Sequence, residues 1–244
     1  MYYIAAPFGN YLRTKKARSV IGTFTLSPRP GLVKQIIKTL RYKNGAWYNA
    51  IGLRNPGIDA GLKYYYRSDK DVISVASIEP GDWKRLNRVL PESADMEVNI
   101  SCPNVEHYKN YVGGVDSFLN GKRKVIVKLS PTTSDAMIEH LMHCGFTSFH
   151  CCNTLPTEDG AMSGKGLREY SSTMINTVRF MNHNAEIIAG GGIQTMDDIR
   201  YYSRFGATSF SIGSVCFHPL KLRKLLNSIV YIPPLSIEEN DQSN

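Results

Sequence analysis

Short runs rich in Val, Ile, Phe and Thr recur along the chain, and stretches with apolar residues at helical spacing separate several of them. Eight such runs predict buried strands at residues 2–6, 19–26, 72–76, 96–100, 125–129, 148–152, 186–189 and 209–212. Residues 136–144 place Met137, Ile138, Leu141 and Met142 on one helical face, and 170–181, 196–205 and 220–229 read similarly. Eight strands with crossover helices predict an α/β fold, a (β/α)8 TIM barrel, and alternation alone leaves a doubly wound sheet as the other arrangement.

The link between the first two strands breaks the pattern. It is about a dozen residues long, basic, and without an apolar stripe, so the first β/α unit is expected to be reduced. Conversely, residues 30–41 carry Val33, Ile36, Ile37 and Leu40 at helical spacing after a proline, which predicts an extra helix before a loop at 44–55. Residues 1–235 are expected to form one domain and the acidic polar tail, 236–244, to be disordered.

Composition narrows the class. The chain has 244 residues, 42% hydrophobic and 20% charged, which suits a soluble globular protein and excludes collagenous and coiled-coil classes. No apolar run approaches the roughly 18 residues of a membrane span. The start, Met1-Tyr2-Tyr3-Ile4, lacks a basic region, so no secretory signal is expected. Five Cys, an odd number, point to reduced thiols and a cytoplasmic protein rather than a disulfide framework. The net charge of +8 leaves polyanion binding open, but an anionic substrate or cofactor fits it equally well, and the clearest basic run, Arg13 to Arg18, is short. There is no CxxC pair and the six His are scattered, so no metal site is expected.

Polar and glycine motifs fall where the predicted strands end, which is where barrel enzymes place their chemistry. They are Asn99-Ile100-Ser101-Cys102-Pro103-Asn104, Lys128-Leu129-Ser130, Asn153-Thr154, Ser163-Gly164, Gly190-Gly191-Gly192 and Gly213-Ser214. Gly191, Gly192, Gly213 and Ser214 follow the seventh and eighth strands, where backbone N–H groups can meet a phosphate. Taken singly, each glycine could merely turn the chain. Lys128 could supply a cation or snorkel to the rim. Cys102 is the candidate acid–base group, because a thiol's ordinary pKa lies within a modest shift of neutrality. A buried inert thiol is the competing reading, and the favoured one for Cys144, Cys151, Cys152 and Cys216. Asn49, Asn99, Asn104 and Asn153 offer donors and acceptors that suit an amide-rich ring, although Asn is also a common turn residue.

These motifs, with Asn49-Ala50-Ile51-Gly52-Leu53-Arg54-Asn55-Pro56-Gly57, resemble the class 1 dihydroorotate dehydrogenases over about residues 45 to 216. The resemblance is nearest to the NAD-linked branch that pairs with an iron–sulfur flavoprotein subunit. It implies an FMN-dependent barrel that oxidises dihydroorotate to orotate in pyrimidine biosynthesis. It makes Cys102 the base, and Asn49, Asn99, Asn104, Asn153 and Thr154 contacts of the pyrimidine and its carboxylate. Ile51, Gly52 and Leu53 match the loop that contributes backbone groups to the carboxylate. Lys128 matches the lysine beside the flavin ring, and Gly164, Gly191, Gly192, Gly213 and Ser214 match the ribityl and phosphate contacts. The implied partners are that electron-transfer subunit and a second copy of the chain as a homodimer, with no membrane or nucleic acid.

The sequence departs from the family pattern twice. The Ala-Ser-Gly segment after the first strand is replaced by Pro7-Phe8-Gly9-Asn10, and the lysine near the end of the second strand falls at about Gly22, with Lys15 or Lys16 as substitutes from the shortened loop. Two other functions compete: an FMN-dependent tRNA dihydrouridine synthase-like enzyme, which the basic charge favours, and a degenerate, non-catalytic flavin barrel, which the altered start favours.

Overall fold

The computed structural model describes residues 1–100 and 112–229. Eight parallel strands close a barrel in the order β1, β12, β11, β8, β7, β6, β5, β2. They are β1 (Tyr2–Ile4), β2 (Arg18–Phe24), β5 (Val72–Val75), β6 (Met96–Asn99), β7 (Val125–Lys128), β8 (Ser148–Cys151), β11 (Glu186–Ala189) and β12 (Ser209–Ile212). All eight predicted strands are present, and closure decides for the barrel over the doubly wound sheet. The remaining strands, β3 (Arg41–Lys43), β4 (Ala46–Asn49), β9 (Leu155–Thr157) and β10 (Gly160–Gly164), form an antiparallel sheet in the order β3, β4, β10, β9.

Strand alternation divides the interior into two cores. Inside the barrel, Tyr3, Val20, Val72, Ile126 and Ile188 form one apolar cluster. Their strand neighbours Ile4, Ile21, Ile73, Val127 and Ile187, with Phe149 on β8, face outward into a larger cluster. The helices α2 (Ile58–Tyr65), α3 (Asp82–Val89), α4 (Asp135–His143), α5 (Arg168–Met181), α6 (Met196–Arg204) and α7 (Pro219–Ser228) cover that face with Ile58, Trp83, Leu141, Ile175, Tyr202 and Leu225. Each such fully buried side chain contributes about 1.5–3 kcal/mol. Local signals set the helix starts: Ser134 accepts from Met137 N at α4, Thr195 and Asp198 form a capping box at α6, and Pro219 opens α7.

Between β1 and β2 there is only a 3-10 turn, Phe8–Asn10, so the first β/α unit is reduced as expected. Lys16 from this link donates to the Leu226 carbonyl at 2.8 Å, closing the C-terminal end of α7. It is therefore committed to that helix end and does not substitute for the cation missing at Gly22. The predicted extra helix is α1 (Leu32–Thr39), but none of its residues is buried, and Val33 and Ile37 stay exposed. The expected loop at 44–55 is in part the strand β4, because Ala46 to Asn49 finds a partner in β10, more than 100 residues away. Sequence periodicity carries no information about such a distant pairing. The expected tail at 236–244 lies outside the described residues.

Candidate active site

The C-terminal mouth of the barrel holds a cavity of about 350 Å³, within the usual range of small-molecule pockets of roughly 300–1,000 Å³. Its floor carries Lys128, His150 and Ser211 from the barrel strands. One wall is aromatic. The Trp47 and Phe217 rings lie 4.3 Å apart and those of Phe8 and Phe217 4.9 Å apart. The other end is formed by Gly164, Gly190, Gly191, Gly192, Gly213 and Ser214.

Stepping two residues along each strand, from the apolar cluster toward the mouth, turns the barrel interior polar. Val72 gives way to Ser74 and Ile126 to Lys128, while His150 and Ser211 are buried polar residues on β8 and β12 and Glu97, in register with Ile126, lies beneath Lys128 on β6. Glu97 is the hub. Ser74 Oγ donates to its Oε1 at 2.8 Å, His150 Nδ1 lies 2.7 Å from its Oε2, and Lys128 Nζ lies 3.5 Å from Oε1. Burial by itself would raise the Glu97 carboxyl. The Lys128 charge and the hydrogen bonds from His150 and Ser74 outweigh it and hold the group at about 2. Burial lowers the His150 pKa, and the bond to Glu97 offsets only part of that effect. At neutral pH the cluster therefore holds a carboxylate and a neutral imidazole whose proton sits on Nδ1.

A hydrogen-bond chain joins Glu97 to the cavity surface. Asn153 Nδ2 donates to Asn99 Oδ1 at 3.2 Å, and Asn99 Nδ2 donates to Thr23 Oγ1 at 3.4 Å. Thr23 Oγ1 and Ser74 Oγ are 2.9 Å apart. Because the Ser74 proton goes to Glu97, the Thr23 hydroxyl donates to Ser74, and every link runs the same way. A buried carboxylate thus sets the amide orientation of two of the predicted asparagines.

The structure brings most of the predicted site residues together. Asn49, Ile51, Lys128, Asn153, Thr154, Gly164, Gly191, Gly192, Gly213 and Ser214 line the cavity, and Asn99 stands behind Asn153. Gly52 and Leu53 lie in the same loop as Ile51 but do not line the cavity. The Gly52 carbonyl accepts from Arg29 Nη2 at 3.1 Å, and the Leu53 carbonyl from Asn55 Nδ2 at 2.7 Å. Cys102 and Asn104 lie outside the described residues. Sequence reasoning missed Glu97 and His150. The available signal was a charged or titratable residue at an inward position of an otherwise buried strand. At Gly22 a side chain is excluded, because a Cβ there would stand 2.4 Å from the Ser74 carbonyl. Cys152 lines the cavity, yet burial pushes its thiol up to about 12, and its Sγ lies 3.2 Å from Ser171 Oγ. It is a packing residue, as is Cys151.

The donor set and shape fit a phosphorylated flavin. Ser211 Oγ is buried without a hydrogen-bond partner and belongs to the cavity lining, so it is open to a ligand. Gly192 has a φ of +74°, and a Cβ on it would stand 2.8 Å from Lys165 Cα, so only glycine lets the backbone close there and leave N–H groups at the cavity end. The aromatic and apolar walls suit a planar ring.

The family model described as dihydroorotate dehydrogenase matches residues 8–228. The catalytic subunit of dihydroorotate dehydrogenase B (NAD(+)) from Listeria monocytogenes is 26% identical over 238 residues, covering 84% of this chain and 78% of that protein. Dihydroorotate dehydrogenase A (fumarate) from Lactiplantibacillus plantarum is 27% identical over 236 residues, covering 82% and 76%. In fold, the chain is similar to the crystal structure of DHODH from Eimeria tenella in complex with ferulenol, with a TM-score of 0.69 at 18% identity, covering 93% of this chain and 79% of that one.

Proposed function

The chain belongs to the dihydroorotate dehydrogenase family, and on that premise we propose that it oxidises dihydroorotate to orotate in pyrimidine biosynthesis with FMN as its cofactor. The observation that carries this reading is the cavity at the barrel mouth, which gathers Lys128, Asn49, Asn153 and the glycine-rich end in one place. When bound, FMN supplies a two-electron hydride acceptor.

The chain's own residues divide the remaining work. Backbone N–H groups of Gly191, Gly192, Gly213 and Ser214, with Gly164, hold the phosphate and ribityl end. Lys128 places positive charge at the cavity floor, moderated by Glu97. Asn49, Asn104, Asn153 and Thr154 hydrogen-bond the dihydropyrimidine, with Asn99 orienting Asn153, and the backbone of Ile51 meets its carboxylate, with Gly52 and Leu53 shaping the loop behind it. Cys102 removes the ring proton as the general base. Residues 1–235 act as one FMN-binding unit. Cys144, Cys151, Cys152 and Cys216 are free thiols, which supports a reducing, cytoplasmic setting. Among the described residues, no helix is long and apolar enough to cross a membrane.

Relatives named for NAD(+) and for fumarate match at nearly equal identity, so both acceptors are candidates, the first through an iron–sulfur flavoprotein subunit. A homodimer is the expected assembly. The family match argues against action on tRNA uridines, and the continuous polar chain from the cavity to the buried Glu97 argues against a degenerate barrel. The test is anaerobic. Purified protein should carry a flavin absorbance band, and dihydroorotate should bleach it. A flavin that binds but is never bleached would overturn the reaction, and failure to bind FMN would overturn the whole reading.

A further inference from the structure

The His150 ring is held from one side only. Its Nδ1 is bonded to Glu97 Oε2, while Nε2 has no hydrogen-bond partner among the described residues. That nitrogen sits at the edge of the cavity, because a Cβ on Gly190 would lie 2.6 Å from it and both residues line the space. Gly190 is thus the position whose missing side chain leaves Nε2 accessible. The backbone behind it is fixed, with Ser171 Oγ donating to the Gly190 carbonyl at 2.7 Å. Nearby charge comes from Glu97 on β6 and Lys128 on β7, which lies in register with His150.

A carboxylate accepts hydrogen bonds and cannot donate one, so Glu97 requires the imidazole proton on Nδ1. Nε2 then carries a lone pair. Among the side chains at this level of the floor, Lys128 can only donate, whereas Ser211 can do either. A ligand with a hydroxyl or N–H at this point needs an acceptor, and His150 supplies one in a fixed orientation.

We propose that His150, locked by Glu97, is a positioning residue of the cavity whose Nε2 accepts a hydrogen bond from an O–H or N–H of the bound ligand. This deepens the flavin reading and rests on it for the ligand's identity. Two sources of that donor are possible within the reading, the flavin and the dihydropyrimidine, and they share the chemistry.

The test is ¹⁵N NMR of histidine-labelled protein at neutral pH. In ligand-free protein, the His150 signals, assigned by their loss in His150→Phe, should show a protonated Nδ1 and an unprotonated Nε2. A proton on Nε2 would overturn the proposal whether or not FMN binds, so it can fail independently of the flavin reading. Addition of FMN, and then of orotate, should move the Nε2 resonance. A shift with FMN alone places the donor on the flavin, and a shift only with orotate places it on the pyrimidine. Both ligands bound with Nε2 unmoved would overturn it. His150→Phe should weaken the ligand that moves Nε2 about tenfold in equilibrium titration, and His150→Gln, which keeps an acceptor, should recover most of that loss.

Discussion

Lys128 Nζ lies 3.5 Å from Glu97 Oε1, with side-chain exposures of only 8% and 2%. The cation at the cavity floor is therefore matched by a buried carboxylate in the layer beneath. Removing one member of such a pair leaves an uncompensated buried charge. Glu97→Gln should cost about 3–5 kcal/mol in urea unfolding. The double variant with Lys128→Met should recover part of that loss. An unchanged midpoint for Glu97→Gln would show that the pair contributes nothing.

Stability should be greatest in a window around pH 7 to 8. Glu97 at about 2, and Glu186 and His150 below their ordinary values, are depressed in the fold. Their contribution is complete above their unfolded values and is lost as pH falls, first below about 6.5 for His150 and then below about 4.5 for the carboxyls. Burial raises Cys152 and Cys216 from 9 to about 12, and these are lost in the other direction as pH rises above 9. For Cys152 alone the loss approaches about 4 kcal/mol by pH 12. Denaturant melts across pH should show a plateau with both flanks falling. A curve still rising below pH 6 would contradict the assignment of the Glu97 cluster.

Gly213 is a better probe of the phosphate end than Gly191. A Cβ on Gly191 would stand 2.8 Å from Leu167 Cβ at a φ of +95°, so any substitution there perturbs the fold itself. At Gly213 the nearest atom to a Cβ is Ala5 Cβ at 3.7 Å. Gly213→Ala should melt near the parent temperature while binding FMN about tenfold more weakly. Equal affinity would place the phosphate elsewhere.

Cys102→Ala should lower the rate of flavin reduction by dihydroorotate about 10²–10⁴-fold while leaving FMN bound. Cys102→Ser should lie between the two, because a hydroxyl is a weaker base. Stopped-flow bleaching of the flavin reads both, and undiminished reduction in the Ala variant would remove Cys102 from the reaction.

Asn55 should matter to the substrate loop without touching substrate. Its Oδ1 accepts from Thr25 N at 3.1 Å and Gly57 N at 2.9 Å, and its Nδ2 donates to the Leu53 carbonyl at 2.7 Å. Asn55→Ala strands buried backbone groups, at a cost of about 1–3 kcal/mol each. It should also loosen the segment carrying Ile51. The expected signature is a raised KM for dihydroorotate with a lower melting temperature. A raised KM with an unchanged melt would place Asn55 in direct contact with substrate.

The local code of this chain determined its elements. Val, Ile and Phe in short runs marked all eight barrel strands, and the basic link carrying Lys15 and Lys16 marked the reduced first unit. The motifs around Lys128, Asn153 and Gly191 marked the strand ends that line the cavity. Each of these depends on residues near one another in the chain, so one-dimensional pattern suffices. Closure of the barrel and the partner of β4 depended on pairings across long sequence separations. The Glu97 cluster did so most of all. Its members come from four different strands, and a lone Glu or His in a strand has no visible meaning until closure turns them toward one another. Only in that buried, low-dielectric interior does a carboxylate fix the proton of one neighbour, balance the charge of another and orient an amide chain that reaches the cavity.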